Sequence, residues 1–127
     1  MLAPGHDTPF ASGADFLRGA VQGAGVTAVI TYDHHIAVAL VGAAYALKLR
    51  IPDDFSLICF NDVFPVASLG PPLTAVAVSG REMGRVGADL LLNVLQGASR
   101  PPPREIRIAE DLVVRGSTAP PPSSQRR

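Results

Sequence analysis

The stretch Phe55-Ser-Leu-Ile-Cys-Phe-Asn-Asp-Val63 decides how this chain folds: it runs mostly apolar as far as Phe60, then turns polar at Asn61 and Asp62. A short apolar run entered from a breaker such as Pro52-Asp53-Asp54 has the pattern of a strand inside a covered parallel sheet. Two runs of the same kind flank it, Thr27–Thr31 (TAVIT) and Thr74–Val78 (TAVAV). Helical spacing fills the gaps. Phe16, Leu17, Ala20 and Val21 recur along one face between Gly13 and Gly23. His35–Leu49 (HIAVALVGAAYALKL) is apolar almost all round, which predicts a helix buried on more than one side. In 81–97, Met83, Val86, Leu90, Leu91 and Val94 mark an apolar face, and Gly97 is the stop. Two short strand-like pieces follow, Glu105–Ile108 and Leu112–Val114, and the Pro/Ser-rich tail 119–127 reads as disordered. Strands alternating with helices specify an α/β fold built on a parallel sheet.

In such a sheet, ligands bind beyond the carboxyl ends of the strands. Asn61 and Asp62 follow one strand directly, as Tyr32 and Asp33 follow TAVIT. Two neighbouring strands therefore aim polar groups into one crevice, held by strand ends rather than by long loops.

Composition narrows the function. The chain has 127 residues, 47% of them hydrophobic and 17% charged, which fits one globular unit with a real core. Lys plus Arg and Asp plus Glu number 11 each, so the basic excess of a free-standing nucleic-acid binder is missing. The single cysteine, Cys59, permits neither an internal disulfide nor a cysteine zinc site, and reads as a small buried hydrophobe. No apolar run reaches the roughly 18–20 residues of a membrane span. The start MLAPGHDTPF has no basic region followed by an apolar stretch, so a cytoplasmic location is expected.

The polar residues admit competing readings. Asp33 suits the N-cap of the following helix, a role compatible with ligand contact. Asn61 and Asp62 suit either a turn or a binding site. His34 and His35 beside Asp33 suggest a metal site only weakly. Adjacent residues at a helix start point apart, and no further ligand has suitable spacing, so no metal is expected. Ser79, His35 and Asp62 lack the nucleophile elbow that a hydrolytic triad needs, and the glycines of GREMG and GRVGAD follow no phosphate-loop pattern. No catalytic residue and no cofactor are expected.

Five stretches, in order, resemble the effector-binding core of LacI/GalR-type transcription regulators. They are VTAVITYDHHIAVAL (26–40), RIPDDFSLICFNDV (50–63), PPLTAV (71–76), REMGRVGADLLLNVLQG (81–97) and DLVVRGST (111–118). The resemblance covers the C-terminal half of that core and implies a type I periplasmic-binding-protein-like fold. Residues 1–78 would form the C-terminal effector-binding subdomain, 79–118 the crossover helix and closing strands, and 119–127 the tail. The family's effector-binding Asp falls on Asn61, with Asp62 after it. Its binding Asn falls on Asp33, with His34 where an Asp is usual. Of the two places for an aromatic that stacks on a sugar ring, Thr8 and Phe10, only Phe10 is aromatic, and Val78 replaces a Gln used by some members. The resemblance thus implies effector contacts from Asp33, Asn61, Asp62 and Phe10 to a sugar or nucleoside. It also implies a homodimer, no membrane partner, and DNA contact only through a helix-turn-helix domain outside these residues. A periplasmic-type sugar-binding protein and an α/β enzyme fragment are the alternatives.

Overall fold

The computed structural model describes residues 12–97 and 105–121. Phe10 and most of the tail therefore lie outside the described residues. Helix α1 (Gly13–Leu17) starts at Ser12, whose hydroxyl accepts the Asp15 amide, and its path continues as a wider π-helical turn over Arg18–Gly23. Strand β1 (Ala28–Thr31) leads into helix α2 (His34–Ala46), and β2 (Ser56–Phe60) and β3 (Thr74–Ala77) complete a parallel set. Helix α3 (Gly80–Leu95) connects to β4 (Asp111–Val113), which pairs antiparallel with β3, so the sheet order is β1-β2-β3-β4. The expected α/β class and parallel order stand.

Register explains the core. Val29 pairs with Leu57, Thr31 with Cys59, and Cys59 with Ala75, so these side chains share one face of the sheet. All five are buried, and the apolar ones cluster with Ala37, Leu40 and Ala44 of α2 and Leu17 of α1. Phe55, fully buried just before β2, belongs to the same cluster. The opposite face is different. Ile30 is 67% exposed and Phe60 36%, so β1 is covered on one side only, against the two-sided cover its apolar run predicts. Side-chain alternation along β1 reports this; hydrophobicity alone does not.

Other expectations shift in detail. α2 is buried along one face, and Ala39, Gly42, Tyr45 and Ala46 on the other are exposed. It also stops earlier than its hydrophobic run. Lys48 adopts φ 57°, its amide donates to the Tyr45 carbonyl, and the Leu49 amide donates to Ala44, a Schellman closure. Gly97, at φ 89°, ends α3 as expected. Residues 105–110 form no strand, although Glu105–Ile108 alternates like one, because no neighbouring strand among the described residues is there to pair with it. The second piece does form a strand, set one residue earlier than expected.

The closing segment is sewn into the sheet centre. Ser117 is fully buried; its hydroxyl accepts the Thr74 amide and donates to the Leu57 carbonyl, while its own carbonyl accepts the Leu57 amide. Thr74 and Thr118 hydroxyls lie 2.9 Å apart. Ala119, the first residue of the expected tail, is anchored by its amide and carbonyl to the Ser56 hydroxyl. Residues 122–127 of that tail lie outside the described residues.

Candidate functional site

The carboxyl ends of β1 and β2 are neighbours in register, so the residues that follow each strand open onto the same edge of the sheet. Asp33 is the N-cap of α2. One carboxylate oxygen, Oδ1, accepts the His35 amide at 2.7 Å. Its carbonyl accepts the Thr31 hydroxyl at 3.0 Å, which ties the turn back to β1. The second oxygen, Oδ2, stays on the crevice side, 3.5 Å from the Asn61 amide nitrogen and 3.6 Å from Nδ1 of His34.

Asn61 lies directly after β2 in the left-handed region, at φ 70°, with its backbone amide donating to the Val76 carbonyl. Asn is among the few non-glycine residues that tolerate this conformation, because its short polar side chain bonds locally. The left-handed turn separates the two polar residues of the opening stretch. Asn61 faces Asp33, whereas Asp62 turns to Arg115 in a two-pronged ion pair, Nη1 to Oδ1 at 2.7 Å and Nη2 to Oδ2 at 2.8 Å. Arg115 Nη1 also donates to the Leu73 carbonyl at 2.8 Å. The guanidinium holds the Asp62 carboxyl below the usual aspartate range, chiefly by direct hydrogen bonding. Burial pushes the Cys59 thiol up, with Asp62 adding to the effect, so it stays a neutral hydrophobe.

The structure thus brings Asp33 and Asn61 together and gives Asp62 to Arg115; Phe10 lies outside the described residues. Arg115, although within the quoted DLVVRGST, carried no role in the sequence reading. Its signal was an Arg placed between a strand and the Ser117-Thr118 pair. Adjacent positions at a helix start are expected to diverge, and here they do not. In fact one ligand-capable atom from each of Asp33, His34 and His35 lies within 4.8 Å of the others.

Chemically, the edge offers a carboxylate acceptor and a carboxamide that both donates and accepts. That pairing matches vicinal hydroxyls or a heterocyclic amide. Among the groups named, none is a nucleophile with a base in reach.

The fold and this strand-end site define a periplasmic-binding-type domain. The comparisons agree. A family profile described as "Periplasmic binding protein-like domain" matches residues 4–118, and this chain belongs to that family. The probable opine utilization operon repressor of Rhizobium rhizogenes is 36% identical over 93 residues, covering 73% of this chain and 47% of that protein. A LacI family transcriptional regulator from Mycobacterium smegmatis superposes with a TM-score of 0.71 at 30% identity, over 87% of this chain and 42% of its own. A second LacI family regulator, from Arthrobacter sp. FB24 and solved in complex with lactose, gives 0.71 at 28%, over 84% and 40%. The chain spans less than half the length of each of these relatives, and all three are transcription regulators rather than enzymes. No helix among the described residues is long and apolar enough to cross a membrane.

Proposed function

We propose that this chain is the effector-sensing part of a LacI/GalR-type transcription regulator acting in the cytoplasm, with DNA contacted by a helix-turn-helix domain outside these residues. The observation that carries the reading is the meeting of Asp33 and Asn61, 3.5 Å apart, at the ends of adjacent parallel strands. The effector is a small polyhydroxylated molecule, a sugar or nucleoside, whose hydroxyls bond both groups. The names of the relatives support a small-molecule inducer: one regulates opine utilization and one was solved with lactose.

Asp62 acts indirectly. Its ion pair with Arg115 fixes the turn that carries Asn61, so Asp62 orients the site more than it touches the ligand. The regulator works as a homodimer, and the exposed apolar side of α3 (Leu91, Leu92 and Leu95, 51–80% exposed) is a surface that a second copy covers. Effector binding favours one arrangement of the dimer and so changes DNA affinity, which requires different affinity for the two states.

Calorimetric titration of pentoses, hexoses and nucleosides into the protein encoded by the complete gene tests the reading. One of them is expected to bind, and Asn61→Ala is expected to weaken it by about tenfold or more, the worth of one to two lost hydrogen bonds. Absence of any binding, or an Asn61→Ala variant with unchanged effector response at its operator, would sink the sensor reading.

A further inference from the structure

We infer that Asp33, His34 and His35 form a binding site for one divalent transition-metal ion of the zinc class, at the mouth of the crevice. It goes beyond the effector reading, whose test residue Asn61 supplies no ligand to the ion.

Three observations converge. First, the donor set is two imidazoles and a carboxylate, which suits Zn²⁺, Co²⁺ or Ni²⁺ and not the all-oxygen preference of Ca²⁺ or Mg²⁺. Second, Nδ1 of His34 is shielded from solvent yet has no hydrogen-bond partner, although the side chain as a whole is 16% exposed. Its nearest polar neighbour, Asp33 Oδ2, lies 3.6 Å away, too far for a hydrogen bond. A buried polar atom left unpaired costs free energy, and a coordinated cation removes that cost. Third, the spacing fits. With metal–ligand distances near 2.0 Å, an ion bridging Oδ2 and Nδ1 across 3.6 Å subtends an angle of about 128°, which a closing of the pair by a few tenths of an ångström brings to tetrahedral.

His35 completes the set from the surface. Its ring stacks on that of His34, centroids 3.9 Å apart and tilted by 38°. The trio's ligand atoms lie within 4.8 Å of one another, against a roughly 3.4 Å edge for a tetrahedral site, so His35 has to move toward the pair to coordinate. It is exposed, so packing does not hold the ring in place. The positive end of the α2 dipole opposes a cation here. The Asp33 carboxylate already sits at that end; its Oδ1 engages the His35 amide, and Oδ2, with only a long 3.5 Å contact to the Asn61 amide nitrogen, is the oxygen offered to the metal. Water fills the fourth position.

Titration of Zn²⁺, and separately of Co²⁺ with visible absorption, into the metal-free 127-residue chain at neutral pH tests the inference. One ion per chain is expected. His34→Gln, and Asp33→Asn, which keeps a capping oxygen and therefore the helix start, are each expected to weaken binding at least tenfold, no less than loss of an outer-shell partner does. His6→Gln, outside the trio, is expected to bind as the parent does. Failure of Zn²⁺ to bind, full binding by His34→Gln, dependence on His6, or a thiolate-to-Co²⁺ charge-transfer band assigning the ion to Cys59 would each overturn it.

Discussion

The sheet with α2 and the helix α3 each carry a run of apolar side chains and end in opposite states. Leu57, Cys59 and Phe55 have no exposed surface, and Ala37, Leu40 and Ala44 of α2 close over them. α3 has no buried residue at all; Met83, Leu91, Leu92 and Leu95 stand 51–80% exposed. What lies beside α3 is an open groove of about 420 Å³ lined by Met83, Val86, Leu90, Ile106 and Ile108. The first region is held by tertiary packing. The second has its own surface pairs, Arg85 reaching Glu82 at 2.6 Å and Asp89 at 2.9 Å, and solvent screens such exposed pairs so that they contribute little. One region is therefore a folding core and the other an exposed apolar surface.

Substitution at matched residues should expose that contrast most strongly. Phe55→Ala is expected to cost about 3–5 kcal/mol of unfolding free energy, by lost burial plus the cavity left behind. Leu95→Glu, on the uncovered side of α3, is expected to stay within about 0.5 kcal/mol in dilute protein. The same change should lower the dimer fraction seen by sedimentation velocity. Denaturant melts at two protein concentrations check both arms, since stability linked to association depends on concentration. Equal losses at the two positions would mean that α3 is packed in solution and would erase the distinction.

The Asp62–Arg115 pair joins the crevice to the closing segment, and its loss should be the next largest effect. Both side chains are about one-fifth exposed, 20% each, so solvent screens them only partly. Arg115→Gln leaves Asp62 without its cationic partner and is expected to cost roughly 1.5–3 kcal/mol at neutral pH. The pH dependence has a definite sign. Asp62 titrates lower in the folded chain than in the unfolded one, so the pair's contribution is complete above the ordinary aspartate value near 4. It fades as pH falls through the depressed folded value. The gap between parent and Arg115→Gln should therefore be flat from about pH 6 to 8 and narrow below about pH 4. A gap independent of pH would show that Arg115 acts only through the Leu73 carbonyl.

The strand order was legible because apolar runs bounded by breakers carry their own signal, and so was the meeting of Asp33 with Asn61, because both lie within two residues of the ends of neighbouring strands. The fate of Asp62 was not legible. Its partner is 53 residues away in sequence, and only the left-handed turn at Asn61 sends adjacent side chains to different neighbours. The cover of β1 was misjudged for a related reason: a uniformly apolar run says what a strand tolerates, whereas Ile30 is exposed because no described element lies over it. The convergence of His34 with Asp33 is not legible from ideal helical directions, because at the cap the backbone is still extended, φ −146° at Asp33.

The smallest expected effect lies at the end of α2, on the covered side of the comparison. Lys48 holds the left-handed position that closes the helix, a place where glycine pays no penalty for a Cβ. Its amide bond to Tyr45 and that of Leu49 to Ala44 are backbone bonds, so they survive removal of the side chain. Lys48→Gly is therefore expected to stabilise the chain by about 0.5–1 kcal/mol, relief of left-handed strain outweighing the extra freedom of the unfolded glycine. Lys48→Ala, which keeps the Cβ, should yield none of that gain. Urea midpoints of the three proteins, with slopes unchanged, decide the matter. If Lys48→Gly proved less stable than the parent, the closure of α2 would rest on the lysine side chain, and the covered region would depend on surface groups as α3 does.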